Sequence, residues 1–202
     1  MPINKICAAI LAGGKSSRFL SGDKALAKWN TKTIIETEID ILKKLFEHVF
    51  IIANHVEIYN HFGIDVFPDI YLSKGPLGGI HSALIHATSD RVFIVGCDMP
   101  LLDEHFISWM ANMNSWAPII IPALSKGLEP LHAIYHVSLV PIIETIISSP
   151  QKTMGLQALI HTLPFKAIKE DVIKQFCPNL LCLRSINTID ELKKLKKLLK
   201  VK

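Results

Sequence analysis

The sequence predicts an α/β fold, a three-layer α/β/α sandwich around a mostly parallel, mixed sheet, formed as one domain over residues 1–202. Two observations carry this expectation. Short, continuous apolar runs, typical of strands buried on both faces, alternate with amphipathic stretches through the first 120 residues. Glycine-rich and aspartate-bearing turns follow the ends of those runs, where ligands of open parallel sheets bind.

Taken in order, residues 6–11 (ICAAIL) read as a first buried strand. Thr33 and Glu36 have capping-box spacing and open a helix whose apolar stripe includes Ile35, Ile39, Leu42 and Phe46. Residues 49–53 are a second strand and 64–67 a third. A helix over 80–87 leads to a fourth strand at 91–95, and a helix over 106–113 to a fifth at 117–121. Residues 131–136 form a strand that can run antiparallel, followed by a helix at 139–147 and, after Pro150, another at 151–161. Thr188 and Glu191 repeat the capping-box spacing and open a terminal helix with Leu192, Leu195, Leu198 and Leu199 on one face. Its lysines, Lys193, Lys194, Lys196, Lys197 and Lys200, make the solvated face.

Composition narrows the function classes. Of 202 residues, 50% are hydrophobic and 20% charged, with a net charge of +4, an ordinary balance that gives no reason to expect nucleic acid as a partner. No apolar run reaches the roughly 18 residues of a membrane span, and Gly13-Gly14-Lys15 interrupts the N-terminal apolar stretch before a signal-peptide core can form. Cys7, Cys97, Cys177 and Cys182 show neither a C-x-x-C pair nor zinc spacing. Reduced thiols and a cytoplasmic location are expected.

The chemistry concentrates in Leu11-Ala12-Gly13-Gly14-Lys15-Ser16-Ser17-Arg18, with Asp23-Lys24 behind it. Glycines allow close backbone approach, successive N–H groups in such a loop make an anion-binding concavity, and Lys15, Arg18 and Lys24 can neutralise a polyphosphate. A Walker A loop is excluded, because the glycine it needs five positions before Gly14 is Ala9. The G-x-G-x-x-G pattern fails because the two glycines are adjacent.

Asp98, just past the fourth strand, suits a Mg²⁺ ligand, since Mg²⁺ takes one or two carboxylates plus phosphates and water; equally, it can cap the next helix. Asp69, after the third strand, can accept hydrogen bonds from a nucleoside or close the turn at Pro68. The loop Lys74-Gly75-Pro76-Leu77-Gly78-Gly79 can pass close to a base or ribose, or serve only as a helix start. His81 and His86 are five apart, and His132 and His136 share a strand face without a third ligand, which disfavours zinc. Ser16 and Ser17 lack a nucleophile elbow.

These residues, with Gly22-Asp23-Lys24-Ala25-Leu26, Pro68-Asp69, Gly75-Pro76-Leu77-Gly78-Gly79-Ile80, Cys97-Asp98-Met99-Pro100, Glu129-Pro130-Leu131 and Ile186-Asn187-Thr188, resemble the nucleotidyltransferases of glycosyltransferase-A-like fold. Among these the chain is most similar to the molybdenum cofactor guanylyltransferases. The resemblance implies a Rossmann-like sheet of the nucleotide-diphospho-sugar transferase kind. It also implies Mg²⁺-dependent transfer of GMP from GTP to molybdenum-molybdopterin, with release of pyrophosphate. It implies that Leu11, Ala12 and Gly13 hold the nucleotide through backbone contacts, that Lys24 binds the GTP phosphates, that Asp69 contacts the nucleotide and that Asp98 binds GTP and Mg²⁺; Arg18, from the loop's own charge, joins Lys24 and Asp98 as a catalytic candidate. Asn54 lies near a family asparagine, with its role open, and Glu129, Asn187 and the histidines are candidates for the acceptor pocket. Expected partners are the two substrates, molybdenum-cofactor delivery proteins and molybdoenzymes, with no nucleic acid and no membrane; the chain is expected to be a monomer or weak homo-oligomer. CTP with molybdopterin, a sugar or alcohol phosphate as acceptor, and a nonenzymatic nucleotide-binding module are the alternatives.

Overall fold

The computed structural model describes residues 6–13, 24–149 and 155–200, so Gly14 to Asp23, with Lys15 and Arg18 among them, lie outside the described residues. β1 (Ile6–Leu11) is buried along its whole length, as its unbroken apolar run requires. A single 3₁₀ turn at Lys24–Leu26 leads into a small hairpin, β2 (Lys28–Trp29) and β3 (Lys32–Thr33), which the sequence reading did not foresee. α1 (Ile34–Leu45) begins at the expected capping box: Glu36 N–H donates to Thr33 Oγ1 and Thr33 N–H donates to Glu36 Oε2.

β4 (Val49–Ile52), the short helix α2 (Val56–Tyr59), β5 (Asp65–Phe67), α3 (Pro76–Ile85), β6 (Arg91–Gly96) and α4 (Glu104–Ala111) follow. α3 starts four residues earlier than its apolar pattern suggests, because Pro76 is preorganised for a first helical turn. β7 (Ile119–Leu124), β8 (Gly127–Leu128) and β9 (His132–His136) lead to α5 (Val140–Ser148) and α6 (Leu156–His161). Residues 150–154, the expected start of that last helix, lie outside the described residues. β10 (Phe165–Lys169), α7 (Glu170–Phe176) and α8 (Ile189–Lys200) complete the chain.

The main sheet runs β10-β7-β9-β6-β1-β4-β5, with β8 paired to β7. β6, β1, β4 and β5 are mutually parallel, and β10 is parallel to β7. β9 is inserted antiparallel between β6 and β7, which makes the sheet mixed. Alternation along β1 sends Ala8 and Ile10 to one face and Cys7 and Ala9 to the other. The first face is covered by α1, α4 and α7 through Ile35, Leu42, Phe106 and Ile173, the second by α3, α5 and α6 through Ile80, Ile143 and Leu159. Helices on both faces give the three layers. No helix among the described residues is long and apolar enough to cross a membrane.

His132 is a conspicuous polar member of this interior. It is fully buried, its ring stacks on Phe106 at 5.6 Å and meets the edge of Phe93 at 5.1 Å, and neither ring nitrogen has a hydrogen-bond partner among the described residues. Burial pushes its pKa down to about 3 from the ordinary 6.5. Between those values the unfolded chain binds a proton that the folded chain refuses, so stability falls as pH drops through this window. His132→Phe is expected to stay folded and to flatten the pH dependence of unfolding free energy between pH 6 and 4 by about 1.4 kcal/mol per unit. Denaturant melts across that range, compared with the parent, are the check.

Candidate active site

Because β6, β1, β4 and β5 are parallel neighbours, their carboxyl ends fall along one edge of the sheet. Leu11 ends β1 and Ala12 and Gly13 follow it, Asn54 follows β4, Asp69 follows β5 and Asp98 follows β6. At about 4.8 Å per strand, the three steps from β6 to β5 span roughly 14 Å.

At one end, Lys24 Nζ lies 2.5 Å from Asp98 Oδ2 across 74 residues of sequence. Both side chains are largely sheltered, 24% and 12% exposed. The other oxygen, Asp98 Oδ1, packs where Gly96 has no side chain; a Cβ there would meet it at 3.0 Å. Asp98 does not cap α4, because Asp103 does so, its Oδ1 accepting from Phe106 N–H at 2.8 Å. The capping alternative for Asp98 is thereby removed.

The peptide that follows Asp98 is held at both ends. Its carbonyl, Asp98 O, accepts from Ile186 N–H at 2.8 Å. Its amide, Met99 N–H, donates to Glu38 Oε1 at 2.9 Å. Glu38 is fully buried, and Oε2 has no hydrogen-bond partner among the described residues. Burial holds its carboxyl well above the ordinary carboxylate range; the Met99 N–H acts against this, Asp98 adds to it and Lys24 opposes it. Sequence reading passed over Glu38, yet a signal was present. The residue lies three after Ile35 and four before Leu42, so it interrupts the apolar stripe of α1.

At the other end, Asp69 is paired with Asn54. Asn54 Nδ2 donates to Asp69 Oδ2 at 2.9 Å, and Asn54 Oδ1 accepts from Asp69 N–H at 3.0 Å. Ile70 N–H donates to the buried Ser82 hydroxyl at 2.8 Å, tying the same turn to α3. Asp69 Oδ1 faces Gly79, where an added Cβ would stand 3.7 Å from it and 3.1 Å from the Leu11 side chain. At Gly78 a Cβ would meet the Tyr71 carbonyl at 2.8 Å. Gly78 is thus required by the seating of α3 against the 69–71 turn, and Gly79 brings α3 close to the Leu11 side chain of β1.

The acceptor candidates divide. Glu129 is half-buried and ion-paired to Lys126 at 3.5 Å; burial raises its pKa, Lys126 opposes this and Asp98 reinforces it, which places Glu129 within electrostatic reach of the site. Asn187 is exposed and follows the Ile186 link to Asp98, its N–H donating to Glu191 Oε2 at 2.7 Å. His132 belongs to the aromatic core, and His81 lies buried in α3 with Nε2 3.2 Å from Glu144 Oε1, so neither joins the strand-end cluster described above. No group of three His, Cys, Asp or Glu side chains able to hold a metal occurs among the described residues.

Residues 8–167 match the MobA-like NTP transferase domain. A probable molybdenum cofactor guanylyltransferase of Clostridium perfringens is 39% identical over 194 residues, covering 93% of this chain and 94% of the relative. A molybdenum cofactor guanylyltransferase of Desulfosudis oleivorans is 30% identical over 193 residues, with 95% of each chain covered. Among solved structures, the molybdopterin-guanine dinucleotide biosynthesis protein A of Archaeoglobus fulgidus superposes with a TM-score of 0.82 at 20% identity, covering 96% of this chain and 99% of that one, which shows a shared fold.

Proposed function

The chain belongs to the MobA-like NTP transferase family, and from this we infer that it is a molybdenum cofactor guanylyltransferase, transferring GMP from GTP to molybdopterin. The observation that carries the site assignment is the strand-end row itself, a Lys24–Asp98 pair at one end and an Asn54–Asp69 pair at the other. A nucleoside triphosphate laid along this edge puts its base at Asp69 and its phosphates at Asp98. Leu11, Ala12 and Gly13, at the carboxyl end of β1, lie between these ends.

In the reaction, a terminal phosphate oxygen of molybdopterin attacks the α-phosphorus of GTP in line. The new P–O bond forms as the bond to the β-phosphate oxygen breaks, and pyrophosphate leaves with that electron pair. Such transfers rely on positioning and charge neutralisation, with no protein nucleophile required. Lys24 meets the charge on the phosphates, and the loop cations Lys15 and Arg18, outside the described residues, are assigned the same work.

The donor set fits Mg²⁺. Asp98 offers a sheltered carboxylate, and a site with one protein carboxylate leaves its other positions to phosphate oxygens and water, which this hard ion prefers. When bound, Mg²⁺ supplies neutralisation of the triphosphate charge. Asp69, aimed by Asn54, accepts from N–H groups of the guanine edge through Oδ1. Delivery proteins, receiving molybdoenzymes, a cytoplasmic location and a single-domain chain that is a monomer or weak homo-oligomer complete the proposal.

Pyrophosphate release tests this reading, measured with GTP or CTP, with and without molybdopterin and Mg²⁺. GTP, acceptor and metal are expected to be jointly required. Asp69→Ala is expected to raise KM for GTP about 10- to 100-fold, the worth of a hydrogen bond to a charged group, and to narrow the GTP/CTP ratio. Preference for CTP, or an unchanged ratio in the variant, overturns the assignment.

A further inference from the structure

We propose that Glu38 is a positioning residue for nucleotidyl transfer, fixing the aim of Asp98 by locking the peptide plane between Asp98 and Met99 from inside α1. The argument is geometric. A peptide unit is planar, so its C=O and N–H turn together about the flanking ψ and φ. Here the C=O is held by Ile186 N–H at 2.8 Å and the N–H by Glu38 Oε1 at 2.9 Å. With both ends held, ψ of Asp98 and φ of Met99 are set, and with them the direction in which the Asp98 side chain leaves the backbone. Upstream, Cys97 N–H donates to Leu11 O at 3.2 Å, so the whole turn is anchored to the central strand β1. Gly96 then leaves room for Asp98 Oδ1, and Lys24 receives Oδ2.

Burial makes Glu38 a costly choice for a purely structural role. A fully buried carboxyl with one oxygen unpartnered among the described residues loses hydration that a leucine at this helix position would never need. What the carboxyl provides and leucine lacks is an acceptor for Met99 N–H, reaching 61 residues along the chain. The residue acts through Asp98 and touches no reacting atom. The inference rests on Asp98 being the catalytic carboxylate, as proposed above.

Two variants and two readouts test it. Glu38→Met removes the acceptor at similar volume; Glu38→Gln keeps a carbonyl oxygen for Met99. Glu38→Met is expected to lower kcat about 10- to 100-fold, the scale of a misplaced catalytic group, with KM for GTP within about threefold. It is also expected to lose amide hydrogen-exchange protection at Met99. Glu38→Gln is expected to keep that protection and recover kcat to within about threefold of the parent. Normal kcat in a folded Glu38→Met, Met99 protection that survives without the acceptor, or Glu38→Gln as impaired as Glu38→Met each overturns the proposal. If Met99 exchange follows the expectation while Asp98→Ala remains active, the reading of Asp98 has failed and the peptide lock has not.

Discussion

Asp98→Ala is expected to reduce GTP-dependent pyrophosphate release at least about a thousandfold, the larger part in kcat. Removing one preorganised group that meets developing charge costs roughly 10²–10³ in rate, and losing the proposed metal carboxylate adds to this. The fold should tolerate the change. Asp98 lies after β6, its backbone carbonyl stays bonded to Ile186 N–H, and its side chain contributes no helix cap. A thermal midpoint within a few degrees of the parent, together with collapsed turnover, is the expected pairing. Turnover within tenfold of the parent at saturating Mg²⁺ removes Asp98 from the mechanism.

Lys24→Gln is expected to lower kcat/KM about a hundredfold, with Lys24→Arg intermediate because its planar fork cannot occupy the place of a point charge. Lys24 meets Asp98 at 2.5 Å, so the two should behave as a unit. The double variant Lys24→Gln/Asp98→Ala is expected to be far less impaired than the product of the two single losses. Steady-state pyrophosphate release across the four proteins measures this. Strict multiplication of the two effects shows that the pair acts separately.

Much of the fold was legible because its elements carry strong local signals. β1 is six consecutive buried residues, and the capping box at Thr33–Glu36 and the Thr188 cap, whose Oγ1 accepts from Glu191 N–H while the Glu191 carboxylate takes Asn187 N–H, mark helix starts by side-chain chemistry that needs no distant partner. β10 and α7 escaped detection for physical reasons. β10 lies at the sheet's end, with Lys166 and Lys169 exposed, so its five residues show no continuous apolar run; α7 follows without a break and is seven residues long. The hairpin of β2 and β3 is too short to impose a pattern.

In the site, residue types were readable and partnerships were not. Asp98 stands out as a polar residue after a buried strand, and Asp69 as one after a short strand at the sheet's margin. That Asn54 grips Asp69 could not be read from an exposed asparagine in a turn. Glu38 was visible only as a charge breaking an apolar stripe.

By itself, the sequence determined the parallel α/β class, the helix caps, the family and the identity of the strand-end candidates. Each of these depends on local periodicity, on residue type or on motif order. Only the tertiary structure decided that Lys24 faces Asp98, that Asn54 aims Asp69, that β9 enters antiparallel, and that Glu38 and Ile186 hold one peptide from opposite ends. These pairings join residues 15 to 88 positions apart, and strand order, register and helix seating choose among the many partners that short-range pattern leaves equivalent.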